Sequence, residues 1–280
     1  MCDDSPLRRP PAGTTRGPKD RLRADELIEF SPVSSGILCL PPGASAQRPA
    51  PVVVVAPERY GLVQHTVDVA HRFAAIGWAA VSPDFYSGIE ENEAGRLREL
   101  PDESVLEHIG AAVAFADRDD RCDASRIAVF GVCRSGSWGL LADAGLPGVV
   151  GVMMLYGGAQ PKEYRRPYQD IIAAGSAPVL GIFGERDHTM SVEDVARLRA
   201  SFERARRSYD ITIEPGMPHG WINDTMPGRY RQDVAERTWA RMLAFLERVR
   251  ETPDDPSSIE WTFRARIARD YDFSANVREE

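Results

Sequence analysis

Apolar residues along this chain fall into short unbroken runs, separated by longer segments in which they recur at helical spacing. Val52 to Val55, followed by Ala56, is a β-branched run, the pattern of a strand buried on both faces. Gly36 to Leu40 is a similar run, ended by Pro41-Pro42. Val63, Val67, Ala70, Phe73, Ala74 and Ile76 then follow a helical period that Gly77 stops. The alternation continues with strands predicted at 78–81, 127–130, 149–155, 179–183 and 211–214. Helices are predicted at 103–116, after Cys133, at 192–207 and at 231–249. Strands alternating with helices of this length imply crossover connections. The predicted fold class is α/β, a mostly parallel central sheet with helices on both faces.

The two ends depart from this rhythm. Residues 1–22 are rich in Pro, Gly, Arg and Asp and are expected to be disordered. After Thr252-Pro-Asp-Asp-Pro256, the apolar residues Ile259, Trp261, Phe263, Ala265 and Ile267 alternate with Glu260, Thr262, Arg264 and Arg266. That period of two predicts a half-buried strand, with a short helix as the alternative. Residues 251–280 thus form a C-terminal extension that clasps its own domain or a neighbouring subunit.

Composition narrows the function. A chain of 280 residues fits one large α/β domain, and a net charge of -8 argues against nucleic acid or an anionic membrane as the main partner. No apolar run approaches the ~18 residues of a spanning helix, and the first twenty residues lack the apolar core of a secretory signal. Cys2, Cys39, Cys122 and Cys133 are scattered, so free thiols in a reducing cytoplasm are expected. His65, His71, His108 and His188 show no metal-ligand spacing and read as structural or exposed, so neither metal nor cofactor is expected. A monomer or homodimer acting on a small molecule is the expected form.

The chemistry gathers at three predicted strand ends, where open parallel sheets collect their catalytic groups. Gly131-Val-Cys-Arg-Ser-Gly136 follows the 127–130 strand, with small residues flanking Cys133 as a sharp strand-to-helix turn requires. Asp187 follows the 179–183 strand and His219 the 211–214 strand. The chain order of nucleophile, acid and base is that of α/β-hydrolases. A free thiol, with a pKa of about 8.5, is mostly protonated at neutral pH, so a base is useful. His219 would take its proton and Asp187 would hold the imidazole. The loop Ala56-Pro-Glu-Arg-Tyr-Gly61 follows the valine strand. The backbone amides of Arg59 and Arg134 would then form the oxyanion hole, with Glu58 pointing into the same pocket. Tyr60, Tyr156 and Trp221 are candidate pocket walls.

VVVVAPERYGL, GWAAVSPDFY, GVCRSGSWG, LYGG, GERD and HGWINDTMP, in this order, resemble the dienelactone hydrolase (carboxymethylenebutenolidase) family of the α/β-hydrolase superfamily. The match runs from about Gly36 to Arg250, and residues 23–250 are taken as the hydrolase domain. The resemblance implies a Cys133-His219-Asp187 triad. It also implies an acid at Glu58 that holds the resting thiol and accepts its proton as substrate binds. The implied activity is hydrolysis of a small lactone or ester through a thioester, without cofactor. The alternatives are an acyl transferase or tailoring enzyme using the same cysteine, and a non-catalytic small-molecule binding protein.

This chain also departs from the family. The arginine that binds the dienelactone carboxylate, four residues after the histidine, is replaced by Asn223. The segment holding a second family arginine is shortened, with Arg96 or Arg98 as stand-ins. Arg134 is unusual after the nucleophile, and its side chain either binds an anionic substrate or packs on the helix.

Overall fold

The computed structural model describes residues 26–87, 89, 99–158, 167–251 and 258–267. At its centre the valine run forms β3 (Ala50–Ala56), with Val52 to Val54 fully buried. Consecutive side chains of a strand point to opposite faces, so each face of the sheet receives valines from this strand. Val52 and Val54 join one core cluster, Val53 and Val55 the other.

Around β3 the chain builds a nine-stranded sheet of order β1-β2-β4-β3-β5-β6-β7-β8-β9. The strands are β1 (Glu26–Ser31), β2 (Ser34–Cys39), β4 (Ala79–Pro83), β5 (Cys122–Val132), β6 (Val149–Leu155), β7 (Val179–Gly184), β8 (Tyr209–Glu214) and β9 (Trp261–Ala265). Pairing of β1 with β2 and of β2 with β4 is antiparallel, and every other pairing is parallel. The parallel strands therefore end on one edge.

Helices cover both faces. Apolar residues of α1 (Gln64–Ala75) and α6 (Gln232–Glu251) fill the cluster of Val53 and Val55, where Phe73 meets Phe130 edge-on. Residues of α2 (Asp102–Ala116), α3 (Trp138–Gly145), α4 (Tyr168–Ala174) and α5 (Val192–Arg204) fill the opposite cluster. Gly77, at φ +94, stops α1 in a backbone conformation that suits glycine.

Several boundaries differ from the sequence expectation. Strand β5 extends well beyond 127–130 at both ends and runs directly into Cys133. Helix α5 ends at Arg204 rather than 207, because Arg206 turns to φ +54 and Arg207 pairs inward with Asp143 at 2.6 Å. After Cys133 a single 3-10 turn, Cys133–Ser135, precedes α3. Strand β1 and helix α4 were not expected. In β1, Leu27 is half exposed, and α4 buries only Ile171 and Ile172, so neither leaves a strong apolar period.

The alternating tail forms β9, parallel to β8 on the chain's own sheet. Trp261 stacks on Tyr209, and its indole N–H donates to the Arg207 carbonyl at 2.9 Å. The expectation of disorder for residues 1–22 falls outside the described residues. No helix among the described residues is long and apolar enough to cross a membrane.

Candidate active site

Because the central strands are parallel, the segments leaving β3, β5, β6, β7 and β8 meet on one edge. They bring Glu58, Cys133, Tyr156, Asp187 and His219 there. The turn at Cys133 is a crowded one. Cys133 itself sits at φ +58, a strained conformation for a residue with a side chain, costing about 1–3 kcal/mol. Glycines make room for it. A Cβ on Gly131 would lie 2.2 Å from the Ser135 carbonyl oxygen, and one on Gly136 would lie 2.2 Å from Cα of Gly157. Ser135 locks the turn, accepting from the Val132 N–H at 3.0 Å and lying 3.0 Å from the Ala56 carbonyl.

The sulfur of Cys133 stands 3.1 Å from Nε2 of His219, and Nδ1 of His219 stands 2.9 Å from Oδ2 of Asp187. All three side chains are buried. Thr189 completes the arrangement, although the sequence pattern did not single it out. Its backbone N–H and its hydroxyl both donate to Oδ1 of Asp187 at 2.7 Å, and the hydroxyl lies 2.9 Å from Nδ1 of His219. Burial pushes the Asp187 carboxyl up. The imidazole of His219 and the hydrogen bonds from His219 and Thr189 outweigh burial and hold it below the usual carboxylate value. The loops after β7 and β8 are tied together: the Arg186 N–H donates to the Met217 carbonyl at 2.9 Å, and the Gly216 N–H donates to Glu185 at 2.6 Å. The acid and the imidazole are therefore held on one braced unit. The half-buried ring of His188 stands edge-on to His219, with centroids 5.5 Å apart.

Glu58 is buried, and each of its oxygens has a neutral donor. The Tyr156 hydroxyl donates to Oε1 at 3.2 Å and the Asn223 amide to Oε2 at 3.0 Å. The other end of Asn223 accepts from the Thr225 N–H and hydroxyl, which fixes its orientation. Burial, and next the charge of Glu58, push the Tyr156 hydroxyl well above its ordinary value. Burial and then Glu58 push Tyr60 up to about 12. Both phenols therefore stay protonated at neutral pH.

Among the other expected pocket residues, Tyr156 lies edge-on to both His219 and Trp221, each at 4.8 Å between centroids. Trp221 is fully buried behind it, with its indole N–H donating to Thr238 of α6 at 3.1 Å. Arg59 lies over the ring of Tyr60, its guanidinium carbon 5.7 Å from the centroid. Arg134 follows Cys133 in the 3-10 turn, and its guanidinium faces Glu99 at 3.8 Å. Burial would lower the pKa of this guanidinium, but Tyr86 and Glu99 outweigh it and keep the group firmly charged. Arg96 and Arg98 lie outside the described residues. His65 is buried, 3.6 Å from Asp224, and His108 is buried 2.9 Å from the Ser34 hydroxyl. Among the described residues, no cluster of three or more His, Cys, Asp or Glu side chains is placed to hold a metal ion.

A strained cysteine at the end of a central strand, facing an imidazole that is braced by a buried carboxylate, can form a nucleophilic thiolate. Comparison with known proteins agrees with this fold. The family model for the dienelactone hydrolase family matches residues 36–250. The chain belongs to the dienelactone hydrolase family.

A relative from Methylorubrum extorquens, provisionally named a carboxymethylenebutenolidase, is 28% identical over 206 residues, covering 69% of this chain and 70% of its own. A Bradyrhizobium protein provisionally named a 2-oxo-3-(5-oxofuran-2-ylidene)propanoate lactonase is 26% identical, covering 70% of this chain and 83% of its own. The crystal structure of a provisionally assigned dienelactone hydrolase from Klebsiella pneumoniae superposes with a TM-score of 0.69 at 24% identity. It covers 76% of this chain and 92% of its own, and supports the shared α/β-hydrolase fold. As a member of this family the chain is a hydrolase.

Proposed function

We propose that this family member hydrolyses a small ester or lactone through a thioester on Cys133, with His219 as base and Asp187 as its orienting carboxylate. The observation that carries the reading is the 3.1 Å approach of the Cys133 sulfur to Nε2 of His219, with Asp187 on the far nitrogen at 2.9 Å. His219 takes the thiol proton, and the thiolate attacks the carbonyl carbon. The resulting oxyanion is held by the amides of Arg59 and Arg134. The tetrahedral species collapses, the C–O bond breaks, and imidazolium returns the proton to the leaving alkoxide. In a lactone that alkoxide stays tethered to the acyl group. Water, deprotonated by His219, then cleaves the thioester and restores the thiol. Kinship with the Bradyrhizobium relative that carries a lactonase name supports the choice of a cyclic or activated ester.

Glu58 takes a different part from the one the resemblance implies. Tyr156 and Asn223 each donate to one of its oxygens, while the thiol already stands against His219. The nucleophile is thus primed before substrate arrives, and Glu58 acts as a fixed carboxylate that positions the pocket wall. Asn223, fully buried on Glu58, serves that wall rather than a substrate carboxylate. The test is turnover of an activated aryl ester by wild type and Cys133→Ala, with loss of hydrolysis expected in the variant. Acyl release to an added amine or alcohol in preference to water would assign the chain to acyl transfer. Tight metabolite binding with no turnover of any ester would assign it to ligand binding.

A further inference from the structure

Strand β9 carries the sheet past the cover of α6, which packs over β6 and β7. Side chains alternate across a strand. Ile211 and Ile213 of β8, with Phe263 and Ala265 of β9, face the core beneath α5. Asp210, Thr212 and Glu214 therefore turn to the α6 side, as do Arg264 and Arg266. With Arg237, Arg241, Ala244 and Arg248 of α6, which share one helix face, they line a groove of about 880 Å³.

The lining of the groove carries more positive than negative charge, on a chain whose net charge is -8. Five guanidinium groups face only two carboxylates among its lining residues. Arg241 reaches Asp210 at 3.0 Å and Glu214 at 3.8 Å, and Arg264 shares the same Asp210 oxygen. Arg237 pairs with exposed Asp233, and Arg248 lies over the Phe245 ring and 3.8 Å from exposed Glu260. Exposed pairs of this kind contribute about 0–1 kcal/mol, so both side chains are free to swing inward. Arg266 has no carboxylate within ion-pair distance among the described residues. Thr212, only 7% exposed on the floor, has a hydroxyl without a hydrogen-bond partner among the described residues.

We propose that this groove binds a small organic polyanion bearing carboxylate or phosphate groups, at a site separate from Cys133. Guanidinium forks converging from a helix and a strand match the paired oxygens of carboxylate and phosphate. The volume lies within the ~300–1,000 Å³ of small-molecule sites. Pro215, which also lines the groove, belongs to the loop that leads from β8 to His219, so occupancy is placed to influence the catalytic loop.

The test is calorimetric titration of the full chain with citrate and with pyrophosphate as probes, at constant ionic strength. Wild type is compared with Arg266→Gln and Arg237→Gln, both outside the catalytic machinery. Saturable binding is expected, weakened roughly tenfold by each substitution, with ester turnover of the unliganded variants unchanged. Equal affinity in wild type and variants would overturn the proposal, as would no saturable binding of either probe. A chain ending at residue 267 that binds the probes at least tenfold tighter would also overturn it. That result would assign the groove to the following segment, which carries Asp270, Asp272, Glu279 and Glu280.

Discussion

Replacing Thr189 with valine isolates a contribution that triad geometry alone does not reveal. The substitution keeps the side-chain shape and removes one hydroxyl, which donates to Asp187 at 2.7 Å and lies 2.9 Å from Nδ1 of His219. Asp187 keeps the Thr189 backbone N–H and the imidazole. A hydrogen bond to a charged group contributes about 1.5–3 kcal/mol, and each 1.36 kcal/mol is about tenfold in rate. If the loss falls on the aspartate–imidazolium pair of the transition state, kcat/KM drops roughly 10- to 100-fold. Asp187→Asn, which presents the wrong partner to Nδ1, is expected to cost about 10⁴ in kcat, the scale of the corresponding change in a serine protease.

Thr189→Val also leaves a signature in stability. Burial would raise the Asp187 carboxyl, but it is held below its ordinary value partly by the Thr189 bonds. A depressed carboxyl contributes stability that is present above its unfolded pKa, about 3.9, and lost as pH falls through the folded value. The deficit of the variant should therefore be full at neutral pH and shrink below about pH 4. Urea unfolding at neutral and acidic pH, beside kcat/KM on an aryl ester, reads both effects. Wild-type kcat/KM together with a stability difference that does not change with pH would refute the reasoning.

Asn223→Leu strips one donor from buried Glu58 and should destabilise by about 1–3 kcal/mol in urea unfolding. Tyr156→Phe removes the donor on the other oxygen and should lose a similar amount. Gly136→Ala drives a Cβ to 2.2 Å from backbone at Gly157, so the elbow must shift. Loss of esterase activity with about 1–3 kcal/mol of destabilisation is expected, read by turnover and thermal melting. A primed thiol should be alkylated by iodoacetamide without substrate, faster than buried Cys39 or partly buried Cys122, as peptide mass spectrometry would show. Alkylation that accelerates only when a substrate analogue is added would contradict a primed thiol and return Glu58 to the part of proton acceptor.

Much of the sheet was legible because parallel strands buried on both faces write themselves as unbroken apolar runs, as 52–55 and 149–155 do. Cys133, Asp187 and His219 were legible for a related reason, since each lies just beyond such a run and parallel strands bring their ends together. Thr189 was hidden because its role depends on a turn in which its N–H reaches back to Asp187. The Asp-x-Thr spacing is the local signal that could have found it. Ser135, which ties the elbow to β3 through the Ala56 carbonyl, acts across a distance that no local pattern records. In the sequence Asn223 stands out only as the place of a missing arginine, and its bond to Glu58 spans 165 positions. Helix α4 escaped because seven residues that bury two isoleucines carry too little period to recognise.

The central claim is that an acyl group passes through the sulfur of Cys133. The direct measurement is peptide mass spectrometry of the wild-type chain, quenched with acid during turnover of an activated acetyl ester, since acid leaves the thioester intact and protonates the base that would cleave it. An acetyl group is predicted on Cys133 and on no other residue, with none trapped in Cys133→Ala. Continued turnover by Cys133→Ala, or acylation at a different side chain, would contradict it.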